Sequence, residues 1–502
     1  MAPTSYISTK AIIRALFHFT ALPTILSILA NMESQGVFAT QSPSDIYSEL
    51  KRSLSPSSEV FLASDTNITD VGITARWNAF DAPSYVVYAK PAGVDDVKAI
   101  VQYASGANVP FLAIGGGSGY TNTTAALKGG IGVDLGKFRD ISIDAGQNRV
   151  TVGGGVIFGD IFDPLYAAGK EIRKQQTASP PHLTGDGIHG LLLDALESVT
   201  IVTGQGEVVN ASENENSDLF WGIRGAGHNF GIVTSATYKV HDLTNNGMAL
   251  NGDFVYPASA KEVIFELVKS LQADQPDQLS VFPSIMFDMV TQATAIMVSL
   301  IYIGPEEKGM PYLQPFINSS PLRQSVGMLP WNKLIKENRF GVDALACMKG
   351  GNHAVYGLNV NEFDVATYVE LVDDFDAFYT QNPPNIASIL VLELFPNRVT
   401  KLVPDAATAY PYRSAMGYMF LSFIFPDEAA SVVATQFALK TRNKLRGKTC
   451  GKESPLEVYV NYAHGDEGRI AWYSERKLPR LLELKSKWDP KNLFHFTNGL
   501  LQ

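Results

Sequence analysis

The chain reads Val109-Pro110-Phe111-Leu112-Ala113-Ile114 and then Gly115-Gly116-Gly117-Ser118-Gly119-Tyr120. The apolar run predicts a strand, and the glycines after it predict a loop. Consecutive glycines expose backbone N–H groups without a Cβ, so they can wrap a phosphate or diphosphate closely. A tight turn between two strands is the alternative, because glycine-rich turns occur in many folds.

Short strands, glycine turns and short helices alternate on both sides of this loop. A second triplet, Gly153–Gly155, follows another apolar run, and a third glycine turn lies at Gly225-Ala226-Gly227. The patterns predict helices over 94–104 and 157–168 and strands over 85–89, 111–114, 130–135, 199–202, 206–209 and 232–240. This mixture predicts an α+β fold rather than a doubly wound parallel sheet.

A second domain is expected over residues 246–454. Long alternating stretches over 279–302, 352–363 and 410–425 predict a large antiparallel sheet. Two helical patterns, 261–272 and 427–446, would cover one of its faces. The last 45 or so residues return to a turn-rich style. We therefore expect a first domain over 44–245, a sheet domain over 246–454 and a C-terminal segment, 455–502, that completes the first domain.

Composition narrows the classes of function. The 502 residues are 45% apolar and 18% charged, as in ordinary globular enzymes, and the net charge of −10 disfavours nucleic acid or an anionic membrane as a partner. Cys347 and Cys450 lack CxxC spacing, so neither zinc nor dithiol chemistry is expected. A disulfide between them and two buried thiols are both open.

The N-terminus has the character of a secretory leader. Lys10 and Arg14 precede an apolar run over 15–30, and Ala39 offers a cleavage point, so residues 1–39 are predicted to be a signal peptide. An amphipathic or disordered leader is the alternative. Four glycosylation sequons are compatible with secretion, at Asn67, Asn122, Asn210 and Asn318.

Three further motifs accompany the first glycine loop. They are the sixteen-residue run Asp218–Val233, the tetrapeptide Tyr459-Val460-Asn461-Tyr462 and the segment Trp488–Phe494. Together with Gly115–Gly119 they resemble the berberine-bridge-enzyme-like branch of the vanillyl-alcohol-oxidase flavoproteins, in particular the fungal oxidases of natural-product clusters. The resemblance runs from about Ser44 to the end of the chain.

The resemblance implies a PCMH-type FAD-binding domain with two subdomains, completed by the C-terminus. A central antiparallel sheet, covered by helices, would roof the flavin and shape the substrate pocket. The implied FAD contacts are the diphosphate loop, the cofactor channel and the C-terminal motifs: Gly115, Gly116, Gly117, Ser118, Gly119, Gly225, Gly227, Ile232, Asn461, Asn492 and Phe494. Packing or turn roles for the same glycines are the alternative.

Flavin oxidation moves a hydride to flavin N5 while a protein base takes a proton. Tyr462 is the first candidate for that base, and Tyr459 and Asn461 would assist it. A tyrosine has a pKa near 10, so it needs activation by the flavin or a second phenol; cross-strand packing of both tyrosines is the alternative. Some relatives place an acid or amide on the strand after a Pro-x-Arg signature, where this chain has Leu421. Glu393, on a neighbouring strand, is the other candidate acid, although a solvated or ion-paired glutamate is the more ordinary expectation.

Two departures from the family concern the flavin linkage. Ser118 stands where many members carry a histidine that bonds to the flavin, and residues 173–186 lack the cysteine that forms a second bond. That segment also lacks a glycine cluster, and its His182 is expected to be an exposed loop residue. We therefore expect non-covalent FAD. Poor FAD binding and a wrongly assigned exon boundary are the alternatives.

The expected function is FAD-dependent oxidation of a small natural product, with dioxygen as acceptor. A redox-neutral isomerase or cyclase and a carbohydrate oxidase remain alternatives. The substrate depends on strand register in the sheet domain, which sequence alone does not determine.

Overall fold

The structure is a computed structural model that describes residues 41–65, 67, 70–172, 186–342, 347–449 and 455–501. Its first sheet has the order β1-β2-β4-β3, in which β2, β3 and β4 run parallel. Two helices pack on this sheet through one cluster of buried aliphatic side chains. The elements are α1 (Pro43–Ser53), β1 (Glu59–Leu62), β2 (Tyr85–Lys90), α2 (Val94–Ala107), β3 (Phe111–Ile114) and β4 (Gly130–Asp134).

A second, antiparallel sheet follows, with the order β5-β6-β10-β8-β9. A two-stranded ribbon, β7 with β11, lies beside it. The elements are β5 (Ile141–Asp144), β6 (Arg149–Gly153), α3 (Phe158–Ala167), β7 (Lys170–Glu171), α4 (Asp186–His189), α5 (Leu192–Ala195), β8 (Leu196–Thr203), β9 (Val208–Ser212), α6 (Ser217–Ala226), β10 (Gly231–Lys239) and β11 (His241–Asp242).

The third sheet has seven strands in the order β15-β12-β14-β13-β17-β18-β16. All of its neighbouring strands pair antiparallel. The elements are β12 (Met248–Pro257), α7 (Lys261–Gln272), β13 (Leu279–Asp288), β14 (Ala293–Tyr302), α8 (Glu306–Asn318), β15 (Arg323–Pro330), α9 (Leu334–Glu337), β16 (His353–Val360), α10 (Val365–Gln381), β17 (Ile389–Leu394), α11 (Arg398–Leu402), β18 (Gly417–Ile424) and α12 (Glu428–Thr449).

The two faces of the seven-stranded sheet belong to different cores. Side chains alternate along each strand, so Met419 and Leu421 pack with the helices that cover one face, whereas Tyr418 and Phe420 pack with aromatic residues of the first domain. This alternation decides which residues can meet a cofactor.

The C-terminal segment returns to the first domain. A single 3₁₀ turn (Val460–Tyr462) is followed by α13 (Arg469–Tyr473) and α14 (Leu478–Trp488). Leu481 and Trp488 of α14 share a buried cluster with Phe220 and Trp221 of α6. The last residues are therefore part of the same core as the Asp218–Val233 run.

The predicted α+β class is confirmed, with some differences in detail. The strand expected over 410–425 begins only at Gly417, and helices α8 and α10 were not predicted. Helix α8 contains Pro311 and Pro315, which ordinarily interrupt a helical pattern. None of the helices in the described ranges combines the length and the apolarity that crossing a bilayer requires.

Candidate functional site

The first glycine loop forms a row of unused backbone donors. Among the described residues, no acceptor is found for the amide N–H groups of residues 115–119. Gly117 has φ +72°, and a Cβ there would lie 2.3 Å from the carbonyl oxygen of Ala75. The amide of Trp77 donates to the Gly117 carbonyl at 2.7 Å. The loop is thus held in place through the Gly117 carbonyl while its amides stay available, and such a row of N–H groups fits an anion. We call residues 115–119 the anion cradle.

An apolar cavity of about 210 Å³ is linked to this loop through one lining residue, Ile157. Ile157 lies at its wall, and the Ile157 Cγ2 atom is 2.6 Å from the position of a Cβ on Gly116. The other lining residues come from β6, β10 and the start of α3, and include Val152, Val156, Phe158 and Tyr238. A group that extends from the anion cradle in this direction meets apolar surface.

The second and third glycine turns serve packing. The amides of Gly153, Gly154 and Gly155 donate to Asp140, Thr234 and Phe138. Gly225 has φ +148°, and a Cβ there would lie 2.3 Å from the backbone nitrogen of Tyr410. The structure therefore places Gly225 against the Ala409–Tyr410 backbone, with Gly227 close to the Ile223 side chain.

Other predicted cofactor contacts lie around the same domain. Ile232 is buried in the cluster beneath α2. Phe494 meets Phe111 of β3 edge-on, with ring centroids 5.3 Å apart. The Asn492 Oδ1 atom is buried, and it has no hydrogen-bond partner among the described residues. That amide oxygen is a candidate contact for a bound cofactor, whereas Ile232 is placed in the protein core.

The predicted catalytic residues meet at the seven-stranded sheet. Tyr462 donates to the Glu393 carboxylate, with oxygen separations of 3.0 Å and 3.2 Å. Glu393 is fully buried and Tyr462 is 1% exposed. The expectation of a solvated Glu393 is therefore wrong: β17 buries this carboxylate on the face that meets the FAD-binding side.

Gly357 explains how Tyr462 reaches this position. A Cβ on Gly357, in the middle of β16, would lie 2.7 Å from the Tyr462 Cβ. The 3₁₀ turn therefore packs directly on the sheet. A glycine inside a strand often marks such a close approach, so Gly357 is the sequence signal for this contact, and it was not among the predicted residues.

Further phenols surround the Tyr462–Glu393 pair. The Asn461 amide donates to the Tyr459 hydroxyl at 2.6 Å, and the Tyr120 hydroxyl donates to the Asn461 carbonyl. The Tyr459 and Tyr462 rings lie 5.3 Å apart. Tyr120 ends the first glycine loop but had no predicted role. The hydrogen bond from Tyr120 ties that loop to the catalytic turn.

Burial dominates the electrostatics of this cluster. Burial raises the pKa of Tyr462 well above its ordinary value, and the nearby Glu393 carboxylate raises it further. Burial likewise raises the pKa of Tyr120 well above the usual range. Both side chains are thus neutral phenols at physiological pH. Tyr462 can accept a substrate proton only if it passes its own proton on, and Glu393 lies where that proton would go.

Two residues singled out in the sequence, Leu421 and Arg413, lie away from the Tyr462–Glu393 pair. Leu421 faces the covering helices, so it does not occupy a catalytic position; its neighbours Tyr418 and Phe420 face the FAD-binding side. Arg413 of the Pro-x-Arg signature donates to both oxygens of Asp194, at 2.9 Å and 2.7 Å. This buried ion pair joins the sheet domain to α5.

Some predictions fall outside the described residues. They are the leader over 1–39, His182 with most of the altered segment 173–186, and Cys450. Cys347 is exposed. Among the sequon asparagines, Asn67, Asn210 and Asn318 are exposed, whereas Asn122 is half-buried beside Gly465. No cluster of metal-ligating side chains occurs within the described ranges.

Comparisons with known proteins identify the family of this chain. The family described as FAD binding domain matches residues 85–212, and the family described as berberine and berberine like matches residues 458–500. The FAD-linked oxidoreductase azaL of Aspergillus niger is 38% identical over 477 residues, which cover 92% of this chain and 99% of the relative. The chain belongs to the berberine-bridge-like FAD-linked oxidoreductases.

A second relative supports the same family, and two solved structures share the fold. The FAD-linked oxidoreductase tazG of Aspergillus terreus is 36% identical over 461 residues, covering 89% of this chain and 92% of that protein. The structure of Physcomitrella patens BBE-like 1 superimposes with a TM-score of 0.76 at 19% identity, over 92% of this chain and 99% of that one. A xylooligosaccharide oxidase from Myceliophthora thermophila gives 0.73 at 20% identity, over 91% and 98%.

Membership of this family confirms three predictions. The protein is an oxidoreductase, its cofactor is FAD, and its fold is of the berberine-bridge-like type. The unused amides of residues 115–119 and the buried Asn492 oxygen fit such a cofactor. The FAD-binding match covers both glycine triplets, and the C-terminal match covers Tyr459, Asn461 and Tyr462.

Proposed function

We propose that this enzyme oxidises a hydroxyl-bearing small natural product, with Tyr462 and Glu393 as its proton-accepting pair and dioxygen as the electron acceptor. The observation that carries the proposal is the buried hydrogen bond from Tyr462 to Glu393. A carboxylate is a far better proton acceptor than a phenol at neutral pH. The pair can therefore act where Tyr462 alone could not.

Bound FAD supplies the hydride acceptor. The backbone amides of Gly115–Gly119 would hold its diphosphate, and Asn492 would contribute an amide oxygen. As the substrate hydroxyl loses its proton to the Tyr462 oxygen, the phenolic proton of Tyr462 moves to Glu393. Tyr459 and Asn461 keep Tyr462 in position, since Asn461 joins the Tyr459 hydroxyl to the turn that carries Tyr462. The surrounding aromatic rings exclude water, which strengthens these interactions.

FAD is proposed to bind without a covalent bond, because Ser118 cannot form the flavin linkage that a histidine forms. Precipitation of the purified protein with acid tests this directly. A yellow supernatant is the expected result, and a yellow pellet would contradict it.

Two matched variants test the proton pair. Tyr462→Phe and Glu393→Gln should each lower the rate of flavin reduction by a substrate by about 100-fold or more, within the range of general base catalysis, while the flavin spectrum stays unchanged. The double variant should be scarcely slower than either single variant, because residues that act as one unit are strongly non-additive. Additive losses would show that Glu393 acts independently of Tyr462.

The substrate class needs a screen, for which stopped-flow bleaching of the flavin under anaerobic conditions is suitable. Bleaching by alcohols of natural products, followed by recovery in air, is the result expected of an oxidase. Turnover without bleaching would instead indicate a redox-neutral isomerase or cyclase. Bleaching by oligosaccharides alone would identify a carbohydrate oxidase.

We also propose secretion, on the basis of the leader and of the sequons. Asn67, Asn210 and Asn318 are exposed and accessible to glycosylation. Treatment of the secreted protein with an endoglycosidase should lower its apparent mass. Retention of the protein inside the cell with residues 1–39 intact would contradict this proposal.

A further inference from the structure

A segment of the sheet domain lies against residues 76–79, which support the anion cradle. This strap, residues 349–353, is bound to residues 76–79 through backbone hydrogen bonds. The Gly350 amide donates to the carbonyls of Arg76 and Trp77 at 3.0 Å, and the Ala79 amide donates to Gly351 at 2.8 Å. The His353 ring stacks on Trp77 with centroids 3.8 Å apart. The strap is therefore fixed to the segment that also holds Gly117.

The strap brings one cation to the glycine loop. The Lys349 Nζ atom donates to the Gly116 carbonyl at 2.9 Å. No carboxylate pairs with Lys349 within the described residues. The nearby Asp134 is fully buried and already accepts from the Thr74 amide at 2.6 Å and from the Gly136 amide at 2.7 Å. Lys349 is exposed, and the carboxylate that acts on its charge, Asp134, is held by backbone amides instead of by the lysine.

Two charged groups, Asp134 and Arg139, act on Lys349 in opposite directions. Burial lowers the pKa of Lys349, Asp134 raises it and Arg139 lowers it again. Arg139 already has a partner in Asp160, and Asp134 is held by the backbone amides. The loop whose amides lack acceptors therefore lies beside an ammonium group that has no hydrogen-bonded carboxylate among the described residues. A dianionic group in the cradle could pair with this ammonium group directly.

We propose that Lys349 is an ionic clasp for the FAD diphosphate, contributed by the sheet domain across the domain boundary. The inference rests on the proposed placement of the diphosphate at Gly115–Gly119. It assigns the retention of a non-covalent flavin to a residue outside the FAD-binding domain. Gly350 and Gly351 of the strap bind residues 76–79, and Trp77 binds Gly117. Loss of the strap would therefore also weaken the support of the anion cradle.

The test uses the purified holoenzyme and follows the release of FAD after dilution by the rise of flavin fluorescence. Lys349→Gln should release FAD about tenfold faster than the wild type at low salt, which is the usual effect of losing one charged hydrogen bond. The difference should narrow at high salt, because screening weakens the wild-type contact. Lys349→Arg should release FAD at nearly the wild-type rate, because it keeps the positive charge.

Lys128→Gln is the matched control, since Lys128 is an exposed lysine on the loop before β4. It should release FAD as the wild type does. Equal release from wild type and Lys349→Gln at every salt concentration would overturn the clasp and leave the proposed function intact. A wild-type protein that neither contains FAD nor can take it up would overturn both.

A second measurement applies even if the flavin proves to be covalently bound. The ³¹P resonances of the bound FAD diphosphate should shift in Lys349→Gln and not in Lys128→Gln. Unchanged resonances would contradict a contact between Lys349 and the diphosphate.

Discussion

The two glycine triplets of this protein look alike in sequence and differ in what their backbones do. The amides of Gly115, Gly116 and Gly117 have no acceptor among the described residues, whereas those of Gly153, Gly154 and Gly155 all donate to neighbouring carbonyls. A triplet whose donors are unused can hold an anion. A triplet whose donors are used joins strands, and its glycines are needed because other backbone segments pass too close for a Cβ.

The largest expected effect is the loss of stability caused by a substitution in the packing triplet, Gly153–Gly155. A Cβ on Gly155 would lie 2.1 Å from the Leu135 carbonyl oxygen and 2.8 Å from its carbonyl carbon. Backbone cannot move aside cheaply, so Gly155→Ala should destabilise the fold by about 4 kcal/mol or prevent folding. Soluble yield and the thermal midpoint measure this. Gly159→Ala is the control: nothing lies within 4 Å of that Cβ, and its midpoint should not fall.

A substitution in the cradle triplet, Gly115–Gly117, should have the opposite result: the protein should still fold, and it should lose its flavin. A Cβ on Gly116 meets only the Ile157 side chain, at 2.6 Å, and Ile157 is 45% exposed, so it can move. Gly116→Ala should cost about 1 kcal/mol of stability and weaken FAD binding by about 100-fold, because the new methyl group occupies the cradle. Flavin content after gel filtration reports the loss.

The double variant Gly116→Ala, Ile157→Ala separates the two effects. Removing the Ile157 side chain should restore the stability and leave the flavin content low. Recovery of full flavin content would show that Gly116 matters through packing, and the difference between the triplets would disappear.

A smaller effect is expected on the pH dependence of stability, through His353, whose ring stacks on Trp77. His353 is 5% exposed, and burial lowers its pKa from 6.5 to about 4. Below pH 6.5 the His353 side chain becomes protonated in the unfolded chain but stays neutral in the folded protein. The contribution of the neutral, buried His353 to the free energy of unfolding is therefore complete above pH 6.5 and is lost as the pH falls towards 4. Between about pH 7.5 and about pH 5 the loss amounts to about 2 kcal/mol.

His353→Phe keeps an aromatic ring on Trp77 and removes the titrating group. Urea unfolding at the two pH values should show a smaller decrease in the free energy of unfolding for this variant than for the wild type. Equal decreases would show that the acid sensitivity arises elsewhere. Retention of flavin near pH 5 should improve in parallel, since the Trp77 amide supports Gly117.

Sequence patterns predicted much of the first domain because its strands are short and end in glycines. Strand β3 was predicted with its observed bounds, and α2 was predicted up to its last turn. The prolines of α8 concealed that helix. Residues 410–416 were included in a predicted strand, although the strand begins only at Gly417. The Tyr462–Glu393 pair could not be derived as a contact, because 69 residues separate its members.

The sequence by itself determined that consecutive glycines follow a strand, which is enough to predict an anion-binding loop from local residue types and spacing. The predicted roles of the tyrosines and the glutamate in proton transfer, and of Ser118 in place of a flavin-linking histidine, came from the resemblance to the family. Only the tertiary structure decided which glycine triplet keeps its donors unused, which face of β17 carries Glu393, and that Lys349 reaches the cradle. Those properties depend on strand register and on contacts between distant segments, and a one-residue change of register would reverse every side chain on a strand.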